Sequence, residues 1–201
     1  MKPIIFARLT DMKYYKGITD DDKPVNGGSF VKDTNLAHEC YNFDVVTLEN
    51  GKEYCLGFVE ISTGAQLCIE RIIGCESFKN AEYVDNVTVV FCSKPGNIKG
   101  MRVVGFYRNA TVFRYPQSDD DDWIFNFISE KKNCVLLPYQ ERLSSDNKWF
   151  VPISGTKGYT FGFGRSNTWY AESKTDNKDE IEYFLNKLIN NIENYDGDNL
   201  V

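Results

Sequence analysis

Two runs rich in β-branched and aromatic residues, 101–107 and 111–115, constrain the fold of this chain more than any other feature. Such runs are typical of half-buried strands, and the Arg108-Asn109 pair between them favours a tight turn or a bulge. With a tight turn, Tyr107, Arg108 and Asn109 stand together at one end of a sheet. An aromatic ring, a guanidinium and an amide suit a planar, hydrogen-bonding ligand such as a nucleobase. A buried hairpin with a polar turn is the alternative.

The first 117 residues contain six or seven segments with strand character, separated by turns. The clearest turn is Asn50-Gly51, which predicts a hairpin. The predicted strands are 3–9, 29–32, a segment ending at Leu48, 53–61, 66–73, 83–92 and the run that starts at Met101. Because several of these are neighbours in sequence, we expect a mostly antiparallel, partly closed β-barrel.

The later residues change in character. Asp122 is a candidate N-cap for a short helix over 123–130, and 134–138 reads as a strand. Residues 154–169 form a loop rich in glycine and aromatic residues, and 179–195 has the apolar periodicity of a helix. We therefore predict one α+β domain over 1–201. It comprises a β-rich barrel part (1–117), a mixed part with packed helices including a C-terminal one (118–195) and a tail (196–201).

Charge and composition limit the function classes. The net charge of −6 comes entirely from residues 118–201, and it argues against a generic nucleic-acid binder. No stretch approaches the roughly 20 apolar residues that span a bilayer, and Arg8 interrupts the N-terminus too early for a signal peptide. We expect a cytoplasmic protein with no membrane partner.

The cysteine and histidine content predicts neither a metal site nor a cofactor. The six cysteines show no Cys-x-x-Cys spacing, and His38 is the single histidine. The cysteines are expected to be reduced and mostly buried. His38 has no recognisable nucleophile, and no Glu-x-Lys triplet follows a strand aspartate as in two-metal nucleases. No catalytic residue is therefore predicted.

The 154–169 loop does not match a phosphate-binding motif, and no helix is predicted to start directly after it. Its polar residues Arg165, Ser166 and Asn167, together with Trp169, suit a wall around a flat ligand. The alternative is a core-packing loop whose glycines let the chain bend.

A succession of short motifs covers nearly the whole chain. They are Asp11-Met-Lys-Tyr-Tyr-x-Gly, Gly27-Gly28, His38-Glu39 with Asn42-Phe43, Ile69-Glu-Arg, Val103-Val-Gly-Phe-Tyr-Arg-Asn-Ala-Thr-Val-Phe-Arg, Val135-Leu-Leu-Pro with Arg142, and Ser166-Asn167 with Trp169-Tyr170. This succession resembles the N-terminal region of bacterial restriction-like proteins that carry an HNH nuclease domain. The central motif of that family reads Val-Gly-Trp-Tyr-x-Asn-Ala-Thr-Val-Tyr-Arg, from which Phe106 and Phe113 are conservative departures.

The resemblance implies target recognition, through a PUA- or EVE-like fold, ahead of a nuclease domain. No HNH segment is present in this chain, so nuclease activity is not expected of it. The implied partner is double-stranded, modified DNA, with the nuclease domain either covalently linked or separate.

These observations lead to a DNA-recognition module that flips a modified base into an aromatic and amide-lined pocket. A protein- or small-molecule-binding regulatory domain is the alternative, and the acidic balance favours it. The modification, the choice between DNA and RNA and the oligomeric state are left open. The predicted roles are stacking by Tyr107 and Trp169, edge reading by Asn42, Asn109 and Asn167, pocket-wall hydrogen bonds from His38, Glu39 and Ser166, and phosphate or base contacts by Arg108, Arg114 and Arg165.

Overall fold

The computed structural model describes residues 2–25, 38–62, 65–96, 98–118, 123–156, 158–172 and 177–201. The predicted strand at 29–32, Gly27-Gly28 and the Asp122 cap lie outside these residues. The strands are β1 Ile4–Arg8, β2 Val45–Thr47, β3 Glu53–Gly57, β4 Tyr83–Ser93, β5 Met101–Ser118, β6 Ile124–Glu130, β7 Cys134–Leu136, β8 Phe150–Val151 and β9 Thr168–Trp169. The α-helices are α1 Tyr139–Arg142 and α2 Lys178–Glu193, and 3-10 turns cover His38–Tyr41, Ile69–Arg71, Glu76–Phe78 and Lys131–Asn133.

These strands form one sheet in the order β2-β3-β6-β5-β4-β1-β9, with β7 and β8 also paired to β5. Every pairing is antiparallel except that of β1 with β4. The chain is thus a mixed α/β protein with a large, mostly antiparallel sheet, as predicted. The path runs from β2 to β9 without closing, so the expected barrel closure is not confirmed.

Strand β5 is continuous over 18 residues, so the tight turn predicted at Arg108-Asn109 is wrong and the bulge is confirmed. Asn109 has a φ of +50°, and Asn86 on the paired strand β4 has a φ of +60°. Asparagine tolerates this left-handed conformation better than most residues, so each strand accommodates one extra residue here. The two halves of β5 then serve different neighbours: β7 and β8 pair with the first half, and β6 pairs with the second.

Two other predicted elements are wrong. The segment predicted as a helix over 123–130 is β6, because its Ile and Phe residues favour a strand and two neighbours, β3 and β5, satisfy its backbone. The segment predicted as a strand over 66–73 is largely irregular, with a 3-10 turn at Ile69–Arg71. Its residues Leu67, Ile69 and Ile72 are buried in the first of two apolar clusters, and its Leu67 amide makes one backbone hydrogen bond to Arg114 of β5.

The sheet is buried on both faces. Strand β1 lies between β4 and β9, and all its residues up to Ala7 are inaccessible, as expected for a strand in a parallel pair. Ile5 and Ala7 belong to one apolar cluster, and Ile4 and Phe6 belong to the other. The second cluster includes the apolar face of α2, namely Ile181, Leu185, Leu188 and Ile192. This confirms the predicted C-terminal helix.

The thiol prediction is confirmed: all six cysteines are free, and five of them are buried. Within the described residues, no helix is long and apolar enough to cross a membrane.

Candidate ligand-binding cleft

A cleft of about 820 Å³ opens between the chain after β3, the loop before β9 and the start of α2. It brings together four of the residues predicted from sequence, namely Arg165, Ser166, Asn167 and Trp169. Counted over the described residues that line it, its charged side chains are Glu60, Arg71, Arg165 and Glu172. The cleft therefore carries a balanced charge, in contrast to the acidic chain as a whole.

Arg71 and Glu172 form the ordered polar wall of the cleft. Arg71 donates from Nε to both carboxylate oxygens of Glu172 at 3.0 Å and from Nη2 to Oε2 at 2.5 Å. Its guanidinium lies 4.4 Å from the ring centroid of Tyr170, whose hydroxyl accepts a hydrogen bond from the Cys68 amide. The hydrogen bonds that Arg71 donates to Glu172 raise the pKa of Arg71. Arg71 keeps 39% of its side chain exposed, so this fixed guanidinium faces solvent in the cleft.

Asn167 offers an amide edge on the opposite segment. Its Nδ2 donates to the Glu60 carbonyl at 3.1 Å, and its own carbonyl accepts from the Arg8 amide at 2.7 Å. Among the described residues, no donor reaches its Oδ1. Ser166 Oγ lies 3.1 Å from Thr168 Oγ1. The cleft therefore presents an amide acceptor that no described donor uses, and two backbone contacts fix its position.

The loop that carries these residues is shaped by Gly162. It has a φ of +114°, and any side chain there would collide with the Pro152 carbonyl oxygen. Backbone hydrogen bonds from Phe163 to Pro152 and from Ser154 to Phe163 close the loop at 3.0 and 2.9 Å. Glycine at this position thus allows a compact loop, which forms one wall of the cleft.

Trp169 is mostly a core residue. Only 9% of it is exposed, and its ring centroid lies 4.6 Å from that of Phe6. Phe161, Phe163 and Phe184 surround it at 6.0–6.3 Å. The exposed edge contributes to the cleft wall, but a Trp169→Ala variant would disrupt the core and would not report cleanly on a ligand.

Asn42 and Tyr107 lie in the interior, away from the cleft. The Asn42 side chain pairs with the backbone of Phe58, donating to its carbonyl at 2.9 Å and accepting from its amide at 2.8 Å. Tyr107 is fully buried against Phe43 and Phe91, and its hydroxyl donates to the Asn42 carbonyl. In this structure both side chains hold the sheet and its covering loop together, and neither presents a face to a ligand.

His38 and Glu39 also make internal contacts. The ring of His38 is half-buried, with its centroid 5.5 Å from that of Phe58. Glu39 Oε1 accepts from the amide and the hydroxyl of Thr10 at 3.0 and 2.6 Å. Burial raises the pKa of Glu39, and the Thr10 hydrogen bonds oppose that rise only in part.

We expect Glu39→Gln to gain stability relative to the parent as pH rises. A carboxyl whose folded pKa is raised contributes stability that is fully present below its unfolded pKa of about 4.5 and is lost as pH rises through the folded pKa. Glutamine keeps an acceptor for Thr10 and carries no charge. Urea denaturation at pH 4 and at pH 8 measures the difference, with the exposed Glu180→Gln as control. A difference between Glu39→Gln and the parent that does not change with pH would contradict this assignment.

The predicted arginine and bulge residues lie elsewhere. Arg114 is buried, donates to the Phe78, Lys79 and Ala81 carbonyls and pairs with Glu70 at 2.9 Å. Arg108 donates to the Ile192 carbonyl at 2.5 Å, where a cation stabilises the C-terminal end of α2. Asn109 is exposed on the bulge. The structure therefore engages both cations internally and brings neither to the cleft.

The sequence analysis missed Arg71 and Glu172 as cleft residues. They are 101 positions apart, and no local spacing signals their pairing. Among the described residues, no group of three or more His, Cys, Asp and Glu side chains is placed to hold a metal ion. Comparisons with known protein families, with curated proteins and with solved structures found no match to this chain.

Proposed function

We propose that the protein is a DNA-recognition module that reads a modified base in the cleft between Arg71 and Asn167. The observation that supports this most is the pairing of a fixed, solvent-facing guanidinium with an amide acceptor that no described donor uses, in a cleft of neutral balance. Such a site is suited to bind a neutral, planar group that can form hydrogen bonds. Nucleobases have that chemistry.

The size of the cleft supports the same proposal. About 820 Å³ lies within the 300–1,000 Å³ common for ligand sites and leaves room for a nucleoside with a substituted base. Arginine guanidinium planes stack on unpaired bases, and amide groups read their hydrogen-bonding edges. Extruding a base from a duplex costs a few kcal/mol, which stacking on the Arg71 guanidinium together with edge contacts offsets.

The wider setting of the proposal follows from the family resemblance. The module acts on modified double-stranded DNA in the cytoplasm, together with a linked or separate nuclease domain. A PUA- or EVE-like arrangement of the sheet belongs to the same proposal.

A regulatory domain that binds a free small molecule is the second candidate. The balanced charge of the cleft within an acidic protein favours it, because an acidic surface repels a phosphate backbone. Salt separates the two candidates, since counterion release makes DNA affinity fall steeply with added salt.

Fluorescence anisotropy against short duplexes tests the proposal. The panel comprises an unmodified duplex and duplexes carrying 5-methylcytosine, 5-hydroxymethylcytosine or N6-methyladenine, with the strongest binder titrated in salt. We expect a preference of at least tenfold, or about 1.4 kcal/mol, for one modification. If no duplex binds at low salt, the DNA proposal fails and the small-molecule candidate takes its place.

A further inference from the structure

A second depression, of about 500 Å³, shares Gly164 with the cleft. It is formed where β1 and β4 end side by side in the parallel pair, which brings Arg8 and Lys94 to the same edge of the sheet. Its remaining wall includes Thr10, Gly96 and Ile153. The charged residues that line it are Arg8, Lys94 and Asp11. Among the described residues, neither cation forms an ion pair with a carboxylate.

Arg8 is a half-buried cation that pairs with no carboxylate in the part of the chain that the structure describes. Its Nη2 donates to the Gly164 carbonyl at 2.9 Å, and its guanidinium lies 5.1 Å from the ring centroid of Phe163. Its Nε is buried and has no hydrogen-bond partner, and no carboxylate pairs with Arg8 among the described residues. Burial lowers the pKa of Arg8, as expected when a cation is desolvated without compensation. An anion beside this partly desolvated cation would supply the charge that its described surroundings lack.

The other charged groups of the depression leave room for an anion. Lys94 is exposed and, in the part of the chain that the structure describes, has no carboxylate partner. Asp11 is buried, and its two oxygens accept from Ser93 Oγ at 2.6 Å and from the Tyr139 hydroxyl at 3.1 Å. Both carboxylate oxygens of Asp11 therefore accept hydrogen bonds from hydroxyl groups of the protein, and neither forms an ion pair with Arg8 or Lys94.

We infer that the depression over Arg8 and Lys94 binds a phosphoryl group. A guanidinium and an exposed ammonium, which both line this depression, are the donors that proteins use for phosphate oxygens. The assignment of this group to the nucleotide whose base occupies the cleft rests on the proposed function. The shared Gly164 makes one nucleotide a suitable occupant of both, with its base beside Asn167 and its phosphate beside Arg8.

Isothermal titration with pyrophosphate tests the anion site without DNA. We expect the parent to bind pyrophosphate and Arg8→Gln to weaken the affinity at least tenfold. Lys94→Gln, an exposed change that should not affect folding, should weaken it several-fold. Lys79→Gln is the matched control, because Lys79 is exposed and lines neither depression. Circular dichroism melts show whether Arg8→Gln is folded, and Arg8→Lys restores the charge if it is not.

A duplex titration then identifies the source of the phosphate. Loss of one phosphate contact should reduce the slope of log affinity against log salt by about 0.9 in Arg8→Gln. If Arg8→Gln weakens pyrophosphate binding but leaves the salt slope for the duplex unchanged, the assignment to nucleic acid is overturned and a free phosphate compound is the ligand. Absence of pyrophosphate binding in the parent, or equal weakening in Lys79→Gln, would overturn the site itself. If pyrophosphate binds through Arg8 but the protein shows no preference among the duplexes, the proposal of base reading fails and the anion site stands.

Discussion

Replacing Arg142 with leucine is expected to lower the free energy of unfolding by about 3–5 kcal/mol. The guanidinium is fully buried at the end of α1 and donates to three backbone carbonyls. They belong to Leu137, at 2.9 and 2.7 Å, Met12 at 2.8 Å and Lys13 at 2.5 Å. One side chain thus ties the loop after β1 to the segment after β7. Urea denaturation measures the loss.

Whether Arg142→Leu stabilises or destabilises the protein depends on the backbone carbonyls that lose their donor. Burial lowers the pKa of Arg142 because it desolvates the guanidinium, and leucine removes that desolvation cost. The backbone carbonyls remain buried in the variant, however, and leaving each of them without a donor costs about 1–3 kcal/mol. The exposed Arg165→Leu is the control, with an expected change within about 0.5 kcal/mol. A loss below about 1 kcal/mol in Arg142→Leu would show that the loop is held by other contacts.

Asn42→Ala is expected to cost about 2–4 kcal/mol, because both backbone groups of Phe58 lose their partners together. The Asn42 side chain is inaccessible, and it substitutes for a neighbouring strand where β3 has ended and its pairing stops. Thermal and urea unfolding measure the change. The prediction places Asn42 among the residues that stabilise the fold.

Asn50→Ala provides a matched comparison. Asn50 also makes two hydrogen bonds, to the Tyr54 hydroxyl and from the Lys52 amide, but it is exposed in the β2–β3 turn. Water replaces these bonds, so we expect a cost below about 1 kcal/mol. Equal losses at Asn42 and Asn50 would contradict the role given to burial.

The regular elements were predictable where local pattern and tertiary environment agree. The apolar stripe of α2, the run of β4 and the Asn50-Gly51 turn are strong local signals, and each element forms as predicted. Strand β6 was missed because a candidate N-cap outweighed its β-branched and aromatic residues. The bulge at Asn109 depends on pairing with β4, which no local pattern encodes.

The candidate site was predictable only in part, for a physical reason. Asn, Glu, Arg and His residues serve equally to bind a ligand and to satisfy buried backbone groups. Glu39, Asn42 and Arg114 proved to do the second. The run from Arg165 to Trp169 reached the cleft because its glycine-shaped loop lies over the sheet edge, where β9 pairs with β1. Arg71 is held in the cleft by Glu172 and Tyr170, which are distant from it in sequence.

The central claim, that the cleft reads a base, is tested most directly by the affinity of Asn167→Ala for the preferred modified duplex and for its unmodified counterpart. We expect the ratio of the two affinities to fall by at least tenfold, about 1.4 kcal/mol, while affinity for the unmodified duplex stays nearly constant. Melting curves confirm that the fold is retained, and Asn191→Ala, on α2 and outside this cleft, serves as control. A folded Asn167→Ala variant that keeps the full preference of the parent would contradict the claim.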